Sequence, residues 1–97
     1  MSIINTNQLR EKDVINLCGG INLGCVIDFE FDVECGKICA IIVSGDGGRS
    51  GFGKSKDIVI PWHKIEKIGE DTILVNMRPE KYEHRRKKIT LFPRLFG

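Results

Sequence analysis

The 97-residue chain contains no long apolar run. A helical membrane span needs about 18 or more such residues, so none is expected. Met1 to Asn7 lacks a basic region followed by an apolar one, so no secretory signal is expected, and the cytoplasm is the default location. Histidine is scarce: His63 and His84 are the only two, and neither lies near a serine or cysteine in a recognisable nucleophile context. Tryptophan occurs once, at Trp62, and proline three times. These shortages argue against local catalytic signatures, and no enzyme activity and no cofactor are expected.

The four cysteines are Cys18, Cys25, Cys35 and Cys39. In a reducing compartment they are not expected to form disulfides. Zinc ribbons pair their ligands two to four residues apart on tight turns, whereas these cysteines follow one another at steps of seven, ten and four. Cys25 and Cys39 also fall within strand-like stretches. They are therefore expected to be buried, inert thiols, with no metal.

What the chain has is one domain's worth of short strands. Apolar content of 41% and charged content of 29% fit a globular protein. A domain this small buries only about 60% of its unfolded surface, so dimerisation would be a natural supplement. Asp57 to Val75 organises the rest. Ile58, Val59 and Ile60 form a β-branched run suited to a pleated surface. Pro61 has no N–H for a ladder, and Trp62 stands at the corner, where its ring is expected to plug one end of the core. Ile65 to Ile68 makes a second piece, Gly69-Glu70-Asp71 a turn, and Thr72 to Val75 a third.

Asn5-Thr6-Asn7 can cap one helical turn ending near Lys12. Asp13 to Cys18 reads as the first strand, turned by Gly19-Gly20. From Leu23 to Glu34 the apolar residues alternate strictly: Leu23, Cys25, Ile27, Phe29, Phe31 and Val33 share one parity, expected to face the core. Asp28, Glu30 and Asp32 share the other, a solvated face rather than an acid–base pair. The run is long for a strand, and Gly24 would let it bend. Gly36 supplies the positive-φ position of a hairpin. Lys37 to Ser44 is apolar on both parities, so it is expected to be a central strand buried on both faces.

These residues resemble a PRC-barrel domain of the YlmC/YmxH sporulation-associated family. Leu9-Arg10 with Lys12-Asp13-Val14-Ile15-Asn16 carries one part of the likeness. Leu23-Gly24-Cys25-Val26-Ile27-Asp28, leading to Gly36-Lys37-Ile38, carries another. Ile58-Val59-Ile60-Pro61-Trp62, with Ile65, Ile68-Gly69 and Asp71 to Val75, carries the most specific part. The resemblance covers about residues 7–77. It implies an all-β fold, a small six-stranded barrel, with a short N-terminal helical turn. It implies no catalytic residues. Related barrels serve as a ribosomal-protein adaptor in a ribosome maturation factor and as the cytoplasmic part of a photosynthetic reaction-centre subunit.

Residues 1–77 are accordingly assigned to the barrel and 78–97 to a basic C-terminal extension. Charge divides the same way: eight Lys/Arg against eleven Asp/Glu up to Met77, then seven against two. Pro79 is expected to open a short helix over Glu80 to Lys88. Arg85-Arg86-Lys87-Lys88, flanked by Tyr82 and Phe92, could neutralise phosphates and stack on bases, so nucleic acid is one partner class. The apolar Ile89 to Phe96 equally suits strand addition to a partner's sheet edge. Gly48-Arg49-Ser50-Gly51-Phe52-Gly53-Lys54-Ser55 spells a phosphate-loop pattern, but a strand ended by Pro61 follows it instead of a helix. A hairpin loop is expected there. The expected function is a non-catalytic protein-interaction module, a homodimer contacting protein partners through Trp62 and the extension. The alternative is an RNA- or ribosome-associated binder using the basic residues.

Overall fold

The computed structural model describes residues 2–45 and 57–84. It is an all-β structure with one short helix. The helix α1 (Thr6–Arg10) is capped by Asn5, whose Oδ1 accepts from the Gln8 N–H while Gln8 Oε1 accepts from the Asn5 N–H. This reciprocal cap holds a helix too short to persist alone. Leu9, on its buried side, enters the core.

Seven strands follow: β1 (Asp13–Asn16), β2 (Ile21–Asp32), β3 (Lys37–Val43), β4 (Ile58–Pro61), β5 (Ile65–Ile68), β6 (Thr72–Val75) and β7 (Glu83–His84). They join in the order β5-β6-β1-β2-β3-β4-β7. All pairs are antiparallel except β1 with β6. Six strands match the expected ones, and β7 is an addition. The ladder is not closed: among the described residues no pairing joins β5 to β7.

β2 is the hinge of this sheet. Its first half pairs with β1, from Asn16↔Ile21 to Asp13↔Cys25, and its second half pairs with β3, from Val26↔Val43 to Asp32↔Lys37. The register slips between Val14 and Ile15, between Val26 and Asp28, and between Glu30 and Phe31. The first two skip Leu23 and Ile27 of β2 and the third skips Cys39 of β3; such an extra residue bends a strand and interrupts its alternation. Gly24, at φ +90, sits beside the first.

The core lies on the inner side of the bent sheet. Val14, Leu23, Val26, Ile41, Val43, Ile60, Ile73 and Val75 are all buried within it. Each such side chain contributes roughly 1.5–3 kcal/mol of burial. β3 is buried on both parities, as its composition predicts: Ala40 and Ile42 are as enclosed as Ile41 and Val43. The inner parity of β2, however, is not the one alternation suggests. Leu23 is buried, but Cys25 is exposed and Val26 is buried in its place. Ile27 and Phe31 face solvent, and Phe29 is only half-buried. The slips at Leu23 and Ile27 are the physical reason for Cys25, Val26 and Ile27, since one extra residue moves the side chains after it to the other face; Phe31 keeps the parity of Phe29.

Two further expectations change. No helix runs from Glu80 through the described residues. Pro79–Lys81 forms a single 3-10 turn, and Glu83–His84 pairs with Ile58 and Val59 as β7. The remainder of that segment, to Lys88, lies outside the described residues. The cysteines are also not buried: Cys25, Cys35 and Cys39 are exposed and Cys18 is partly so. Cys25 and Cys39 lose burial through the same register slips.

Candidate interaction surface

Besides the outer edges of β5 and β7, the β2–β3 arm is a part of the sheet without a strand neighbour among the described residues. β1 reaches only to Cys25, so from Val26 to Asp32 the edge of β2 away from β3 has no strand beside it among the described residues. On the other side, β4 reaches only to Ala40, so Lys37 to Cys39 extend past its end. The arm therefore has edges that no described strand covers, the usual template for a further strand.

The tip is held rigidly enough to present its side chains. The Gly36 N–H donates to the Asp32 carbonyl at 2.7 Å, and the Glu34 N–H donates to Asp32 Oδ1 at 2.9 Å. Gly36 takes φ +73, the conformation the hairpin requires of it. On this frame Phe31 is 53% exposed and Val33 90% exposed. Large apolar side chains held out of a core that is otherwise filled are a mark of a contact surface. Asp28, Glu30, Asp32 and Glu34 are exposed on the same arm, and Lys37 is its single cation.

A second feature lies at the far end of β1. Asn16 is fully buried. Its Nδ2 donates to the Met77 carbonyl at 2.8 Å and to the Tyr82 hydroxyl at 2.6 Å. Its Oδ1 accepts from the Cys18 N–H at 3.1 Å and the Met77 N–H at 3.2 Å. The amide is satisfied in this orientation only, since a flip would set NH2 against two N–H donors. Asn16 thus behaves as a short extension of the β1–β6 ladder, gripping Met77 as a strand residue would. Lys12 plays a comparable part at the other end, where its largely buried Nζ donates to the Glu70 carbonyl at 2.6 Å.

Trp62 and Tyr82 are both half-buried and packed against the core. Trp62 follows Pro61 in a 3-10 turn and covers the core as a plug would. The Tyr82 hydroxyl is engaged by Asn16. Trp62 follows the Pro61↔Ala40 pair and so stands beside β3 of the arm, whereas Tyr82 lies at the Asn16 end. Arg85, Arg86, Lys87, Lys88 and Phe92 lie outside the described residues, as does the phosphate-loop pattern from Gly48 to Ser55. Among the described residues no three His, Cys, Asp or Glu side chains gather in a way that could hold a metal ion, and no helix is long and apolar enough to cross a membrane. Sequence reasoning missed Phe31 and Val33 as surface residues because it assigned them to the core. A polar residue at an inward position of β1, Asn16, was the available sign of the buried node.

The PRC-barrel domain family model matches residues 1–81. The chain is 46% identical over 76 residues to the "Probable sporulation protein YlmC" of Bacillus subtilis (strain 168), covering 77% of this chain and 94% of that one. It is 40% identical over 70 residues to an uncharacterized protein of Clostridium acetobutylicum, covering 72% of this chain and 80% of that one. It is also 30% identical over 86 residues to the "Uncharacterized protein YmxH" of Bacillus subtilis (strain 168), covering 84% of this chain and 96% of that one.

Proposed function

The chain belongs to the PRC-barrel domain family, and from that premise we propose that it is a non-catalytic protein-interaction module acting in sporulation in the cytoplasm. The observation that carries the interaction role is the β2–β3 arm. It combines a strand edge that no described strand covers with Phe31 and Val33 exposed on the same arm. Exposing these rings and branched chains opposes folding economy, and a partner that covers them removes the opposition. The rest of the sheet supports this role by being rigid. Its inner face is filled, and its ends are tied by Asn16 and Lys12. The sporulation role is supported by the likeness to a relative whose name gives it that process.

The test uses the full chain in the organism that encodes it. Wild type and a Phe31→Ser/Val33→Ser variant are each expressed in place of the native copy, and spore yield and co-purified protein are compared. The proposal expects the variant to fold normally, to lose the co-purified partner and to lower spore yield. Unchanged capture and unchanged spore yield would refute it.

A further inference from the structure

We infer that residues 78–84 form a strap, pinned to the body by the contact of Tyr82 with Asn16, that opens as a unit about Arg78 and uncovers the outer edge of β4.

After β6 the chain crosses to β4, although β1, β2 and β3 lie between those two strands in the ladder. Met77 is fixed before the crossing. It is buried, and Asn16 holds both its N–H and its carbonyl. Arg78 follows with extended backbone, and Pro79 opens the 3-10 turn. Arg78, Pro79, Glu80, Lys81, Glu83 and His84 are all exposed, and within this segment Tyr82 alone packs against the core.

The bonds of the segment divide into two sets. One set is internal. The Lys81 N–H donates to the Arg78 carbonyl at 2.8 Å, the Tyr82 N–H donates to the Pro79 carbonyl at 3.1 Å, and Arg78 and Glu80 form an exposed ion pair. These bonds survive if the segment moves in one piece. The other set ties it to the body: the Tyr82 hydroxyl on Asn16, the Tyr82 ring on the core, and the pairs Glu83↔Val59 and His84↔Ile58. A segment with a preformed interior and few buried apolar contacts is the kind that opens locally, below the cost of global unfolding.

The node beneath tolerates that opening. Asn16 keeps the Met77 carbonyl as acceptor and both of its N–H donors, and loses the Tyr82 hydroxyl alone. The swing is taken up at Arg78, between the clamped Met77 and the ring-fixed φ of Pro79. What it uncovers is β-branched. Ile58 is buried and Val59 half-buried, and β7 is the described strand on their outer edge. The strap is therefore an autoinhibitory contact: β7 occupies an edge on which another extended segment could pair.

Hydrogen exchange of the full chain, read by mass spectrometry under native conditions, tests this. The amides of 82–84, and those of β4 that face β7, are expected to exchange at least about tenfold faster than those of Ala40–Val43, at a rate that low urea does not raise. Tyr82→Phe should speed the strap about fivefold. Ile73→Ala, in the core, should speed β3 by more than about tenfold and leave the strap unchanged. If Ile73→Ala fails to fold, Ile73→Val takes its place with a smaller rise at β3. Strap amides that follow β3 in every variant would mean that the segment leaves only when the whole fold does, and the inference falls. It falls equally if Tyr82→Phe leaves strap exchange untouched, because the pin is then elsewhere.

Discussion

The side-chain amide of Asn16 donates to the hydroxyl of Tyr82 at 2.6 Å, tying the end of β1 to a residue near the end of the described chain. The same amide holds both backbone groups of Met77. Asn16→Ala would leave those groups buried without partners. It is expected to cost about 2–4 kcal/mol. Tyr82→Phe removes one partner while the Met77 bonds remain, and should cost about 1 kcal/mol. Urea unfolding of both variants checks the ordering; equal losses would mean that the Met77 bonds contribute little.

The register slips in β2 make a direct prediction about which parity is structural. Val26→Ser should destabilise by roughly 2–3 kcal/mol, because it loses buried volume and encloses a hydroxyl. Phe31→Ser should cost only about 1 kcal/mol, since about half of the side chain is already exposed. Thermal or urea midpoints decide it, and a large loss at Phe31 would restore the unbroken alternation.

Ile41 has no exposed surface. Ile41→Ala should cost about 2–5 kcal/mol, and Ile41→Asp should prevent folding by placing a charge without a partner in the core. Loss of the native circular dichroism signal in the aspartate variant, with retention in the alanine one, is the expected result.

Gly36 adopts φ +73 with open space around the position a Cβ would occupy. Gly36→Ala should therefore cost about 1 kcal/mol from backbone conformation alone. Gly36→Asn should cost less, since asparagine tolerates this region. Gly69 has only ordinary contacts at 3.6 Å and no positive φ, so Gly69→Ala should be close to neutral. Matched denaturation curves of the three variants test the order.

Exposure of Cys25, Cys35 and Cys39 predicts that a thiol reagent labels three groups quickly in the native protein, with Cys18 slower. Mass spectrometry of briefly labelled protein reads the sites. Slow labelling of Cys25 or Cys39 would mean that they sit inside after all.

The fold was largely legible because most of its signals are local. The Asn5 cap, the β-branched Ile58 to Ile60, the stop at Pro61 and the turn glycine at Gly36 each act over a few residues. β3 was legible as a central strand because its own composition is apolar on both parities. The orientation of Cys25, Val26 and Ile27 was not, because it depends on register slips set by pairing with other strands. The path beyond Pro79 was missed for a similar reason. Helix-compatible residues there give way to pairing with β4 and to the Tyr82 bond, neither of which leaves a periodic trace. The candidate surface was visible only as a long alternating strand, and it took the register to show which side of it is outside.

The parallel pairing of β1 with β6 brings together segments from opposite ends of the domain. Such a contact closes a long loop, whose entropy must be lost before the pairing returns any energy. During synthesis the neighbouring β2 and β3 can zip up as soon as both have emerged. β1 must wait for β6, and Asn16 for Tyr82. The arm's own pairing thus needs nothing beyond residue 43, whereas the closure of the body needs the chain as far as Tyr82.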